Sequence, residues 1–230
     1  EKSPYSEIAM KRWQKHHRET LPRWASAYEV NRYELDSKNG YFYETPDGAV
    51  MVVNRNLADQ KIRFYRFGSL EQVLGMMAVQ KTNEEWEKRV VYVAELPKEY
   101  RAYFRHMGFN TIVHSDDGSA MALFHFANYS ESNRKKAYVT AAAWLGSDGL
   151  PVAPAVMISG PSRIRNLRTG ENIKGSVPNV MYFSGPVRLF KEGDGYILQG
   201  YGGKDDTWIE YRSIKITKDT LQKMFLKKTS

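Results

Sequence analysis

The segment Arg89–Val113, RVVYVAELPKEYRAYFRHMGFNTIV, most limits what this chain can fold into. Val90–Ala94 is a β-branched and aromatic run, as a strand buried on both faces requires. Pro97 suits the first turn of a helix, and Tyr100, Tyr103, Phe104 and Met107 would form that helix's apolar face. Gly108 stands where a left-handed C-cap belongs, and Asn110–His114 returns as a strand. Two strands joined by one helix through short loops predict a parallel pair with a right-handed crossover. The chain lacks the alternating helices that eight such units need, so a β/α barrel is excluded.

Before this segment the pattern is a meander. Residues 26–68 read as strands, with Tyr41–Glu44 and Ala49–Val53 flanking the turn Pro46-Asp47-Gly48, and Ile62–Arg66 following. Ser69 opens a helix as N-cap with Gln72 as its capping-box partner, and Leu70, Val73, Leu74 and Met77 give that helix an apolar stripe expected to face the core. An amphipathic helix is expected over 4–22, with Met10, Trp13, His17 and Leu21 near one face and Lys11, Lys15 and Arg18 on another.

After His114 the signals are strands and turns alone. Strands are expected at Ala120–Phe126, Ala137–Ala143, Ala155–Ile158, Ile164–Leu167, Val180–Phe183, Val187–Phe190, Tyr196–Tyr201 and Trp208–Ile216. Asp117-Gly118, Asp148-Gly149, Thr169-Gly170 and Asp194-Gly195 punctuate them. A short basic helix over Lys218–Lys228 closes the chain. The fold expected is therefore α+β: a helix-containing N-terminal half with one strand–helix–strand unit, then a largely antiparallel β-sheet, as a sandwich or partial barrel, and a short C-terminal helix. With no linker of Gly, Ser or Pro, residues 1–230 form one unit. A composition shift near 115 divides a mixed α/β part, 1–115, from a mainly β part, 116–230.

Charge and composition narrow the chemistry. A net charge of +8 and fifteen Tyr favour an acidic partner met by a basic, aromatic-rich surface: an acidic protein, a glycan or another anionic ligand, with nucleic acid as an alternative. The absence of cysteine excludes disulfides, zinc–thiolate sites and thiol nucleophiles. No run of about eighteen apolar residues is available to cross a membrane as a helix. The chain begins at Glu1 rather than Met, which fits removal of a signal peptide or trimming of a longer protein, and export is the expectation.

Histidines come first among reactive groups. His114 and His125 flank Asp116-Asp117-Gly118-Ser119, but a two-residue turn at Asp117-Gly118 would leave them roughly 14 Å apart along the strands, too far to share a metal ion. His16 and His17 point apart on a helix. There is no HExxH, no phosphate-binding GxxxxGK[ST] or GxGxxG, and no GxSxG, so no metal and no cofactor is expected.

Asp116, Asp117, Asp194, Asp205, Asp206 and Glu210 fall in or beside turns, where aspartate commonly caps the local backbone. Among them Asp205, Asp206 and Glu210, with Trp208 between, are the candidate catalytic carboxylates, since a Trp beside paired acids can frame a sugar ring. Arg163, Arg165 and Arg168 follow the small, flexible Ser159-Gly160-Pro161-Ser162. On a strand Arg163 and Arg165 project together, and with backbone N–H groups they could grip an anion. The expected function is a non-enzymatic binding domain whose contact residues include Arg163, Arg165, Arg168 and Trp208. The alternatives are a hydrolase or transferase acting on a glycan or nucleotide through the β-half carboxylates, and a nucleic-acid-binding protein.

Overall fold

A computed structural model describes residues 37–225, apart from 57, 79–82, 130–135, 160–162, 166–171, 175–181 and 205–207. The helix expected over 4–22 lies outside the described residues, as do Arg168, Asp205 and Asp206. The structure is a mixed α+β arrangement dominated by antiparallel sheet. Sheet I has the order β1 (Ser37–Glu44), β2 (Val50–Asn56), β3 (Ile62–Phe67), β4 (Val90–Ala94). Sheet II runs β5 (His106–His114), β6 (Ala120–Tyr129), β7 (Lys136–Trp144), β8 (Val156–Ser159). A ribbon pairs β9 (Arg163–Arg165) with β10 (Asn172–Lys174), and sheet III joins β11 (Tyr182–Glu192), β12 (Gly195–Lys204) and β13 (Trp208–Ile216). Among the described residues the α-helices are α1 (Leu70–Ala78), α2 (Asn83–Glu87) and α3 (Lys218–Phe225), none long and apolar enough to cross a membrane.

Three turns share one construction, which is why the Asp-Gly pairs were legible. At 45–49, 115–119 and 146–150 the first residue's N–H donates to the fifth residue's carbonyl, at 2.8, 2.8 and 2.9 Å, and the glycine N–H turns back to the first carbonyl. Gly48, Gly118 and Gly149 supply the positive φ (79°, 82° and 76°) that a three-residue hairpin loop needs. The β11–β12 hairpin closes one residue earlier than expected. Glu192 pairs with Gly195, and Gly193 takes the positive φ of 58°.

The expected strand–helix–strand unit is not formed. Lys98–Tyr100 makes a single 3₁₀ turn, and β4 and β5 belong to different antiparallel sheets instead of lying parallel. The aromatic residues that suggested a helix face serve as anchors between the sheets. Tyr100 and Phe104 pack on Phe126 with ring centroids 5.1 and 5.6 Å apart. Gly108 caps nothing; it lies inside β5 opposite His125. β4 is also not buried on both faces, because it is an edge strand whose Val91 and Val93 are exposed.

The helix after β3 forms as the capping signal requires. Ser69 Oγ accepts the Gln72 N–H at 3.4 Å, while Gln72 Oε1 reaches back to the Gly68 N–H at 2.9 Å. Its stripe buries Val73 only, and Leu70 and Leu74 remain exposed, so α1 lies on sheet I rather than inside the core. Trp86 of α2 covers the same face, with Tyr65 and Phe67 each 5.5 Å away in edge contacts.

Two larger cores lie on either side of sheet II. Between sheets I and II, Met51, Val53, Ile62 and Phe64 meet Met107, Phe109, Phe124, Phe126 and Val139. Between sheets II and III, Val113, Met121, Leu123, Ala142 and Ile158 meet Leu189, Tyr196, Leu198, Ile214 and Ile216, and α3 contributes Met224. A parallel bridge, Ser115 to Leu189, joins β5 to β11, and β13 comes against β8 on the other side.

Candidate functional site

The second core changes character along its length. One end is closed. Asp117, in the turn after β5, accepts the Tyr196 hydroxyl at 2.8 Å and the Ser119 N–H at 3.0 Å, and Lys191 Nζ stands 3.3 Å from its carboxylate. These hydrogen bonds hold the Asp117 carboxyl well below the usual carboxylate range, the Tyr196 hydroxyl contributing most. Trp144 packs between Tyr196 and Phe225 of α3, with ring centroids 5.2 and 5.3 Å away.

The other end is polar. Across sheet II the register aligns Gly108, His125, Thr140 and Ser159 in one row. His125 has the parity of the buried Met121 and Leu123, so this row lies on the side facing sheet III. His125, Thr140 and Ser159 are all buried, the last two completely. A row nearer the end pairs His106, Ala127 and Tyr138. The His125 ring meets those of His106 and Tyr138 nearly at right angles, at 6.3 and 5.6 Å.

Two backbone devices hold the imidazole. A bulge between Phe109 and Thr111 inserts Asn110 into β5, and Asn110 Oδ1 lies 2.5 Å from His125 Nδ1. An amide oxygen can only accept, so this contact is made with the proton on Nδ1. Gly108 makes room for the ring, because a Cβ there would lie 2.2 Å from His125 Cε1.

Strand direction brings the end of β8 and the start of β13 to this same end. β8 runs toward it and finishes at Ser159, and the ribbon begins four residues later at Arg163. In the ribbon Arg163 pairs with Lys174, Ile164 with Ile173 and Arg165 with Asn172. The bridge between β5 and β11 is parallel, and β13 runs with β11, so β13 also starts here. Trp208 pairs with Lys204 and Glu210 with Gly202.

Other candidates are dispersed. His114 is exposed at the closed end, six residues along β5 from the position opposite His125. Asp194 stands 3.9 Å from Lys218 and Glu192 lies 2.9 Å from Lys215, so these acids face lysines instead of each other. Tyr201 and Tyr211, exposed and in edge contact at 5.4 Å, lie on the outer face of sheet III, away from the polar row. Residue-by-residue reading missed Asn110, Tyr138 and Thr140, and took Ser159 for part of a flexible loop rather than the buried end of β8. The available signal was a polar residue at an inward position of an apolar strand: His125 after Met121 and Leu123, and Thr140 before Ala142.

Comparison of the chain with protein-family models, with curated proteins and with solved structures finds no match.

Proposed function

We propose that this protein is a binding domain for a small anionic ligand, taken up at the polar end of the second core, with sheets II and III as a partial barrel around it. The observation that carries the reading is the buried row of His125, Thr140 and Ser159. Burying such groups is unfavourable unless they are hydrogen-bonded, and a polar face at the end of an apolar core is how small-molecule sites are commonly lined. Hydroxyl groups can donate and accept at once, so Thr140 and Ser159 could meet a guest while keeping their partners within the protein. Arg163, Arg165 and Lys174 on the ribbon, with Arg168 close in the chain, would hold the anionic group, guanidiniums pairing with carboxylate or phosphate in a fork. Trp208, at the start of β13, would supply an aromatic wall.

Binding is preferred over catalysis because three acids of this half of the chain serve other contacts. Asp117 is tied to Tyr196 at the opposite end, and Glu192 and Asp194 face lysines.

The test is a thermal-unfolding titration with inorganic phosphate and, separately, with citrate. A ligand that binds the folded state alone, at free concentration L, stabilises it by RT ln(1 + L/Kd) and so raises the midpoint with the logarithm of its concentration once that exceeds Kd. The expected result is a concentration-dependent rise with at least one anion. The double variant Arg163→Ala/Arg165→Ala should weaken it about a hundredfold or more, since hydrogen bonds to charged groups contribute about 1.5–3 kcal/mol each. No rise with either anion, or wild-type affinity in the double variant, contradicts the proposal.

A further inference from the structure

We propose that two copies of this chain associate through β4, pairing antiparallel about Tyr92 to join two copies of sheet I into one continuous sheet. β4 is an edge strand, and among the described residues only β3 pairs with it. The opposite edge, β1, lies against β5. Exposed strand edges present unpaired N–H and C=O groups, and proteins blunt them with charges, proline or bulges. Between Arg89 and Glu95 this strand reads Val-Val-Tyr-Val-Ala, with no charge and no proline. A bulge at Val91, opposite the Phe64–Tyr65 step, is the one blunting device it carries.

The segment is complementary to itself. Antiparallel pairing centred on Tyr92 sets Arg89 of each copy against Glu95 of the other, Val90 against Ala94, and Val91 against Val93. Val91 and Val93, 45% and 43% exposed, are the two largest apolar groups this strand leaves in solvent, and this register covers both. A slip of one residue would send the valines to opposite faces, and a slip of two would set Glu95 against Val91 in one direction or Arg89 against Val93 in the other. A two-fold axis through Tyr92 makes the contact isologous and closed, so it ends at a dimer. Arg89 is exposed above the Phe67 ring at 5.6 Å, and Glu95 is exposed with Lys61 and Arg101 at 3.6 and 3.1 Å. Exposed ion pairs contribute little, so the charges set register while backbone bonds and covered valines supply affinity.

Sedimentation of the full chain across micromolar to hundreds-of-micromolar concentration tests this. The wild type is expected to form a dimer, and Val91→Lys/Val93→Lys to raise its Kd about tenfold or more. Arg89→Glu should also weaken it, and Arg89→Glu/Glu95→Arg should restore it, with circular dichroism confirming that each variant is folded. A wild type monomeric throughout the range overturns the proposal, including the case in which another segment or another protein's strand occupies the edge. A dimer indifferent to the valine variants, or one that the double charge exchange fails to restore, overturns it as well.

Discussion

The two faces of sheet II are built by the same strands and serve different ends. Toward sheet I, β6 presents Ala122, Phe124 and Phe126, and β7 presents Val139, Ala141 and Ala143, apolar along their described length. Toward sheet III the same strands present Met121 and Leu123 and then His125, and Ala142 and then Thr140. The first face is a core from end to end. The second begins as a core and finishes as a polar row beside a bulge and a glycine, with three buried polar side chains. A buried polar group left without a partner costs about 1–3 kcal/mol, so a row of them has to be matched by bonding partners, which an apolar row does not need. One face is therefore apolar in its described residues, while the other joins an apolar core to the polar row on which the binding proposal rests.

Substitutions on the two faces should separate these roles. Phe124→Ala, on the sheet I side and in edge contact with Phe109 at 5.5 Å, should lower unfolding free energy by about 3–5 kcal/mol. Denaturant titration would measure the loss, and the relative rise in midpoint with phosphate should persist. A Phe124→Ala protein of full stability would mean that the first face is not the core described.

Gly108→Ala should cost about 1–3 kcal/mol, since the new methyl overlaps the ring that Asn110 holds. Much of that loss should disappear in a His125→Ala background, because the overlapping atoms are gone. Equal losses in both backgrounds, read from a double-mutant cycle, would show that Gly108 and His125 are not coupled.

The smallest effect belongs to the closed end and depends on pH. The folded-state value of Asp117 lies below its ordinary 3.8, so its contribution is complete above that pH and is lost as pH falls through the depressed value. Wild type should therefore exceed Asp117→Asn in stability at neutral pH, and the difference should shrink as the solution is acidified below 3.8. A difference that stays constant into strong acid would remove the carboxylate from the account.

Much of this architecture was legible in the chain. Local turn chemistry placed three Asp-Gly hairpins, and alternation placed β6, β7 and β13. The β4-to-β5 connection was not legible, because Tyr100, Tyr103, Phe104 and Met107 have helical spacing whether or not a helix forms. What decides is long-range burial: Tyr100 and Phe104 gain more against Phe126 than a short helix would return. Gly108 misled for a related reason. A glycine required for a side chain on the neighbouring strand looks the same in sequence as one required for a left-handed cap. The arginines and Trp208 were chosen from local sequence, whereas Asn110, Thr140 and Ser159 become neighbours of His125 only through strand register.

The most direct test of the central claim is a map of amide chemical-shift changes as inorganic phosphate is titrated into the folded protein. The account predicts changes grouped at His106, Gly108, His125, Thr140 and Ser159 and on the β9–β10 ribbon, with Met121, Asp117 and Tyr196 unmoved. Changes centred on the closed end or on the outer face of sheet III, or none up to saturating phosphate, would contradict it.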